Sequence, residues 1–219
     1  KIRQVDDLQN INTFGFRGEA LASIASVAHV KLRTRRKEDE MGTEISIAGS
    51  AVTSQEEVVC PAGSDFSVRN LFYNVPARRR FLKSEAVELR HILEEFHRVI
   101  LCHPEKTFTL THNGNTVYYL PACDNLRTRI TATLGKELNA RLLDLNVDTS
   151  MVCIRGYIGH PRETYKKGGH RYFFVNGRFF KSAYLHKAVI KAYGKLIPED
   201  RMTSYFIYLE ADPWIIDVN

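Results

Sequence analysis

The sequence lacks the features of several protein classes. It has no run of about 18 apolar residues, the length at which a helix can cross a bilayer. It also has no CxxC pair and no HExxH motif, so it offers no typical zinc site. Internal repeats and low-complexity tracts are missing too. The four cysteines are widely separated, as in proteins of a reducing compartment, and we expect a cytoplasmic protein.

The composition is that of a globular protein. The 219 residues are 44% hydrophobic and 26% charged, enough for one large domain or two small ones. The net charge of +6 is unevenly distributed: the stretch 160–201 holds ten Lys and Arg residues against three acidic ones, a local charge of +7. Because one part of the chain carries the whole excess, we expect a surface there that binds a polyanion.

The first half begins with one helix followed by strands. Apolar residues at helical spacing predict a helix over 19–29. Alternating patterns predict four strands, at 30–35, 43–49, 51–60 and 64–72. Neighbouring strands of this kind indicate an antiparallel meander with one solvated face. Pro76 excludes a continuous strand through LFYNVPARRRFL, and Ser84 is placed to begin a helix that ends near Pro104.

The second half contains two hairpin signals. Asn-Gly dipeptides at 113–114 and 176–177 each lie between alternating segments and predict two-residue turns. Helices are predicted over 125–135 and after Ser182, which can cap the second of them. Two strands are predicted, at 151–159 and 203–213.

The stretch GFRGEAL, residues 15–21, places two glycines directly before residues that favour a helix. A helix N-terminus presents unpaired N–H groups and about half a positive charge, so it can hold a phosphate group. Glycine lets the anion approach the backbone closely. The same spacing also fits an ordinary tight turn, because short glycine motifs often occur by chance.

Four segments carry a family resemblance, in this order along the chain: TFGFRGEALASIASVAHV, LFYNVPARRRFLK, FFVNGR and DPWIIDVN. Together they resemble the MutL family of bacterial mismatch-repair proteins, which belongs to the GHKL ATPase superfamily with gyrase B and the histidine kinases. The resemblance covers essentially the whole chain. It implies an α+β / α/β two-domain fold, in which a partial GHKL (Bergerat) ATPase sandwich with a mostly antiparallel sheet precedes an S5 domain 2-like transducer domain. With PACDN (121–125) as the hinge, the domains are expected at 1–121 and 122–219.

The resemblance also implies a nucleotide site. In the family the GFRGEAL stretch ends the ATP lid, and its backbone amides wrap the triphosphate. That role falls here on Gly15, Phe16, Arg17, Gly18, Glu19, Ala20 and Leu21. Ser64 follows Gly63 where the family usually has Gly-Thr, the last motif of the nucleotide pocket, and serine keeps the hydroxyl group. Arg17 has an equal alternative interpretation, an ion pair with a nearby acid such as Glu19.

A DNA-binding surface is implied in the second half, where the family's DNA-binding arginine falls in the VNGR hairpin. Lysines that recur every four residues share one helix face directly after it. We combine these positions into a surface that binds DNA phosphates without regard to sequence: Arg162, Lys166, Arg178, Lys181, Lys187, Lys191 and Lys195. A lysine series on a helix can also be plain solvation, and the local charge beside VNGR favours DNA.

Two other groups are expected to be structural. Arg78, Arg79, Arg80 and Lys83 fit a solvated basic loop, with Phe72 and Phe81 as its anchors in the core. Three aromatic residues of the VNGR hairpin alternate, which favours core packing over stacking on bases: Tyr172, Phe173 and Phe179.

In the family the general-base Glu, the magnesium-binding Asn and the adenine-reading Asp lie upstream of GFRG. We therefore expect no catalytic residue and no metal ligand in this chain and no ATP hydrolysis by it, while the longer protein would use ATP and Mg²⁺. The implied function is an ATP-gated DNA clamp that couples mismatch recognition to repair. Its implied partners are DNA, MutS and a second copy of itself, with no membrane.

Two alternatives stay open at this point. A topoisomerase-type GHKL ATPase would share the fold and the clamp, although the wording of GFRGEAL and LFYNVPARR argues against it. A non-enzymatic nucleic-acid-binding module with an S5-like fold would explain the basic charge and the hairpin. It would leave the glycine stretch without a role.

Overall fold

The computed structural model describes residues 19–213. These divide into two compact units, 19–88 and 89–213. The division therefore lies at 88/89, inside a helix, whereas the sequence placed the boundary at 121/122. The assignment of the two parts to ATPase and transducer domains stays a prediction.

The unit 19–88 is built on a four-stranded antiparallel sheet. Its elements are α1 (Ala20–Val27), β1 (His29–Arg35), β2 (Gly42–Ala48), β3 (Ala51–Val58), β4 (Gly63–Arg69) and the short α2 (Pro76–Arg80). Helix α3 (Glu85–Cys102) begins in this unit and continues into the next. The helix and strands expected from hydrophobic spacing are all present, and Pro76 begins a helix of five residues.

The strand order corrects the predicted meander. It is β3-β2-β1-β4, so β4 does not follow β3 at the edge but returns to pair with β1 on the opposite side. The register brings Ser64 of β4 beside Thr34 of β1. Local patterning cannot distinguish these two arrangements, because a meander and a returning strand both alternate with period two.

The unit 89–213 contains a hairpin and a five-stranded mixed sheet. Its elements are β5 (Phe108–His112), β6 (Asn115–Leu120), α4 (Leu126–Leu134), a 3-10 helix (Lys136–Arg141), β7 (Leu142–Asp148), β8 (Val152–Gly159), β9 (Arg171–Val175), β10 (Arg178–Phe180), α5 (Ala183–Tyr193), a second 3-10 helix (Gly194–Leu196) and β11 (Tyr205–Ala211). The sheet order is β10-β9-β11-β8-β7, with β11 parallel to β9 and antiparallel to β8. Strand β7 is absent from the sequence predictions.

Apolar side chains cover both faces of this five-stranded sheet. On one face Phe174 and Phe206 belong to a core cluster with α3, β6 and α4. On the other, Leu185 and Val189 of α5 pack against a second cluster of Phe173, Tyr205 and Ile207. The sheet thus lies between two layers, which is how a mixed sheet buries both of its faces.

Both predicted Asn-Gly turns and the predicted Ser182 cap are confirmed. Both Asn-Gly dipeptides have positive φ at each residue, at 113–114 and 176–177, as a type I′ hairpin turn requires. Ser182 caps α5, because its Oγ accepts a hydrogen bond from the Leu185 amide at 3.1 Å. Asn125 caps α4 in the same way through Arg127. The helices of residues 19–213 include none that is both long and apolar enough to cross a membrane.

One predicted core anchor is instead exposed. Phe81 is 76% exposed, because it follows the end of α2 at Arg80 and an apolar side chain is not buried by its type alone. Leu196, in the second 3-10 helix, is also exposed, at 69%. Helix α5 ends at Tyr193, and the 3-10 turn that follows advances 120° per residue instead of 100°, which rotates Leu196 away from the core.

Candidate functional site

The start of α1 is exposed and uncapped by its own side chains. Glu19 is the N-cap residue, but its side chain makes no capping hydrogen bond, and Glu19, Ala20 and Leu21 are all exposed. The first N–H groups of any helix lack partners within it. The other predicted residues of this site, Gly15, Phe16, Arg17 and Gly18, lie outside the described residues.

Ser64 is the second residue of β4 and is exposed. Its Oγ lies 2.9 Å from Oγ1 of Thr34, and the same Thr34 hydroxyl donates to the Gly63 carbonyl at 3.1 Å. Alternation along the strand places Ser64 on the same sheet face as Phe66 and Val68. The hydroxyl of Ser64 is therefore held in place by the neighbouring strand.

Helix α1 and Ser64 are both joined to β1. Only Ala28 separates α1 from the start of β1, and α1 packs against β1 and β2. Ser64 lies beside Thr34, near the other end of β1. A helix N-terminus and a serine hydroxyl are each able to bind a phosphate group.

Residues 19–213 contain no group of three or more His, Cys, Asp or Glu side chains that could hold a metal ion. The Mg²⁺ implied by the family resemblance therefore finds no ligand set among these residues, and we assign it none. Burial raises the pKa of the Cys102 thiol to about 12, so this thiol stays protonated near neutral pH.

A polar groove crosses the other face of this sheet. A cavity of about 630 Å³ is lined by residues that include Lys31, Arg33 and Arg69. Lys31 and Arg33 both form ion pairs with the buried Glu44, at 2.6 and 2.5 Å. Hydrogen bonds from these two cations lower the pKa of Glu44 and keep it ionised. Much of the positive charge in the groove is thus already neutralised.

The lysines around α5 in the unit 89–213 differ from the ion-paired cations of this groove. Lys187 and Lys191 lie on the exposed face of α5, opposite the residues that pack against the sheet, and Lys195 lies in the 3-10 turn that follows. Lys181 is exposed between β10 and α5. None of these four lysines forms an ion pair with another residue of the range 19–213. Their charge is available to an external anion.

The loop 160–170 carries the predicted residues Arg162 and Lys166, both exposed. It is attached to the segment after α5 by two hydrogen bonds between Tyr165 and Met202, at 2.7 and 3.0 Å. Lys166 lies 3.6 Å from the carboxylate of Asp200, so its charge is partly compensated. Such an exposed pair contributes little to stability and leaves the ammonium group accessible.

Arg178 is the first residue of β10, directly after the hairpin turn, and it is half-buried. The aromatic residues near it belong to the core, as predicted: Phe173 is 5% exposed, and Tyr172 and Phe179 pack against the first core cluster. Base stacking by these rings would require them to leave that core.

Sequence reasoning missed three residues that shape these sites. Thr34 holds Ser64, Asn176 attaches the hairpin to β11, and the buried Arg129 binds four backbone carbonyl groups. The sequence predicts Asn176 only as a turn residue. Nothing in the sequence indicates which strand its side-chain amide binds. Helix α4 contains two arginines, Arg127 and Arg129, and nothing in the sequence indicates that Arg129 is the buried one.

Comparison with known proteins supplies the family. Residues 130–219 match the family model described as "DNA mismatch repair protein, C-terminal domain". Over all of its length the chain is 55% identical to DNA mismatch repair protein MutL of Bacteroides fragilis (strain YCH46), of which it covers 35%. It is 51% identical to the MutL of Christiangramia forsetii, again covering 35%. The chain thus spans about a third of the length of these curated relatives.

Solved structures agree with the sequence relatives. The Aquifex aeolicus MutL ATPase domain complexed with ADP has a TM-score of 0.72 and 27% identity, covering 96% of this chain and 76% of that chain. The B-subunit of DNA gyrase from Myxococcus xanthus reaches a TM-score of 0.55 at 9% identity, which shows a shared fold alone. The expected mixed α/β fold with antiparallel sheets, matching a MutL ATPase domain, is confirmed, and the high identity favours mismatch repair over the topoisomerase alternative. The chain belongs to the MutL family of DNA mismatch repair proteins.

Proposed function

We propose that this chain supplies part of an ATP-dependent DNA clamp of mismatch repair. In this proposal the unit 19–88 contributes to a nucleotide site and the unit 89–213 contributes a DNA-binding surface. The observation that carries it is the set of four exposed lysines around α5, which have no ion-pair partner among the described residues of a mismatch-repair family member.

The lysine series fits a phosphate backbone. Lys187 and Lys191 are separated by one helical turn, a rise of about 6 Å, so they contact an extended anion at successive points. Lys195 continues the series, while Lys181 and Arg178 precede it. Contacts of this kind position DNA without reading bases, because ammonium groups meet phosphates through charge alone. Arg162 and Lys166 would extend the surface along the loop 160–170.

The nucleotide part of the proposal rests on α1 and Ser64. ATP would supply the polyphosphate that the N–H groups at the start of α1 and the Ser64 hydroxyl bind. The ADP-bound Aquifex relative supports nucleotide use in the longer protein. In that protein we further propose that ATP promotes self-association of the N-terminal regions and contact with MutS, as the family membership suggests.

The DNA surface is tested by charge reversal. Lys187→Glu combined with Lys191→Glu should weaken binding to every duplex alike and lower the slope of log K against log salt by about 0.9 for each lost phosphate contact. The matched control reverses two exposed charges in the turn between β1 and β2, Arg36→Glu with Lys37→Glu. Binding is measured by fluorescence anisotropy with labelled duplexes across a salt series. An unchanged slope in the α5 variant, or equal losses in both variants, would refute this surface.

A further inference from the structure

The two hairpins of the second unit share the same turn but not the same contacts. Asn113 and Gly114 have φ values of 50° and 80°, and Asn176 and Gly177 have 45° and 74°. Among residues 19–213, the side-chain amide of Asn113 contacts only the ring of its neighbour His112, at 3.4 Å. The turn conformation therefore needs no side-chain partner elsewhere in the fold.

Asn176 bonds to β11 three times. Its backbone N–H donates to the Leu209 carbonyl at 2.9 Å. Its side-chain Nδ2 donates to the Ala211 carbonyl at 2.9 Å, and the Ala211 N–H donates to its Oδ1 at 3.1 Å. The amide side chain thus satisfies both backbone groups of Ala211, as a neighbouring strand would. It extends the parallel pairing of β9 and β11, whose last strand pair joins Val175 and Leu209.

The connection lies next to β10, the shortest strand of this sheet. It has three residues, lies at the edge of the sheet and pairs with β9 alone. Short edge strands are among the least constrained parts of a sheet. Strand β11, by contrast, is central, and its residue Phe206 is fully buried. The Asn176 side chain therefore links the turn before the edge strand β10 to the central strand β11.

We propose that Asn176 is a positioning residue for DNA binding. By fixing the hairpin tip to the end of β11, its amide holds Arg178, one residue beyond Gly177, at a set place on the basic surface. This inference rests on the proposed function, in which Arg178 contacts a DNA phosphate. A charge held in place before binding loses less conformational freedom when DNA arrives, which raises affinity.

The test exploits the two equivalent turns. Asn176→Gly keeps the positive φ that the turn needs and removes the amide, and Asn113→Gly makes the same change where the amide has no distant partner. With two side-chain hydrogen bonds lost, we expect the dissociation constant for duplex DNA to rise about fivefold in Asn176→Gly and to stay unchanged in Asn113→Gly. Hydrogen exchange at the Ala211 amide should accelerate only in the first variant. Asn176→Asp, which keeps the acceptor for that amide and tolerates the turn, should give intermediate values.

A cycle with Arg178→Ala separates the possible failures. If Asn176 acts through Arg178, Asn176→Gly should add no loss of affinity once Arg178 is alanine. If Arg178→Ala leaves DNA binding unchanged, the proposed role of Arg178 is wrong. If Arg178→Ala weakens binding but Asn176→Gly does not, or if Asn176→Gly weakens it equally in both backgrounds, the positioning role is overturned. Should Asn176→Gly unfold the protein, the Asn176→Asp variant carries the same comparison.

Discussion

Phe66 in β4 and Phe206 in β11 are both strand phenylalanines, yet Phe66 is 47% exposed and Phe206 is fully buried. The strands around them differ in pattern as well as in surroundings, because β4 (GSDFSVR) alternates polar and apolar residues and β11 (YFIYLEA) is almost continuously apolar. Helices cover both faces of the five-stranded sheet in 89–213. In 19–88, α1 packs against β1 and β2, while β4 stays exposed over most of its length. The pattern of each strand thus agrees with the number of layers that cover it.

The difference teaches where each unit's stability and function reside. Burying a Phe or Leu side chain stabilises a fold by about 1.5–3 kcal/mol, so the unit 89–213 gains most from its core. The sheet of 19–88 instead leaves apolar side chains such as Phe66 and Val68 exposed. The nucleotide and DNA proposals divide along the same line, since the first uses the open unit and the second a rigid surface.

Paired truncations of the two phenylalanines give the largest expected effect. Phe206→Ala should lower the free energy of unfolding by about 3–5 kcal/mol, because it leaves a cavity inside two packed layers. Phe66→Ala should cost only about 1 kcal/mol, since much of that ring already contacts water. Urea denaturation of both variants measures the two losses. Equal losses would break the comparison, because the two sheets would then be covered equally.

The buried charged side chains give the second test of the comparison between the two units. Among the described residues, each unit buries one charged side chain. Glu44 is paired with Lys31 and Arg33. Arg129, 1% exposed, instead donates to backbone carbonyls, those of Pro104, Lys106, Leu120 and Pro121. Arg129→Met keeps the volume and removes these donors, so we expect a loss of about 3 kcal/mol from the stability of 89–213.

The control for this change lies on the same helix. Arg127 is less buried and binds the carbonyls of Asn139 and Leu142 and the carboxylate of Asp144. Arg127→Met should therefore cost about 1 kcal/mol. The midpoints of urea denaturation of the two variants measure both losses. If Arg127→Met is the more destabilising change, Arg129 does not hold the segments whose carbonyl groups it binds.

The two units should lose stability at different pH values as the solution is made more acidic. Burial lowers the pKa of His97, His170 and His186 below the ordinary value of 6.5, and all three lie in 89–213. The unfolded chain then binds more protons, so this stability is complete above pH 6.5 and falls as pH drops below it. In 19–88 the lowered pKa of Glu44 contributes stability above its ordinary 4.5, and that part is lost only as pH falls below 4.5.

This is the smallest expected effect, because the shifts are modest in groups that are only partly buried. In urea denaturation at a series of decreasing pH values, the unit 89–213 should lose stability before the unit 19–88 does. His97→Gln, which preserves a polar partner for the Tyr118 hydroxyl, should flatten the slope below pH 6.5. A variant slope as steep as the original would show that His97 does not contribute.

Sequence reasoning succeeded where short-range chemistry decides the outcome. Asn-Gly turns, the Ser182 cap and the helix at 20–27 depend on residues a few positions apart, and all of them are present. Strand β7 was not predicted, although Leu143, Leu145 and Val147 alternate with polar residues in LLDLNVD, as in a strand with one solvated face. The proposed nucleotide and DNA residues came from family resemblance, and their roles stay predictions.

The sequence by itself determined the turns, the caps, the location of the basic charge and the family, because each is written in neighbouring residues or in motif order. Only the tertiary structure decided that β4 returns to β1, that Phe81 and Leu196 face water, and that Asn176 meets Ala211. These outcomes depend on residues that are far apart in sequence and near in space. A local pattern specifies which side of an element is apolar, but only packing determines what, if anything, covers that side.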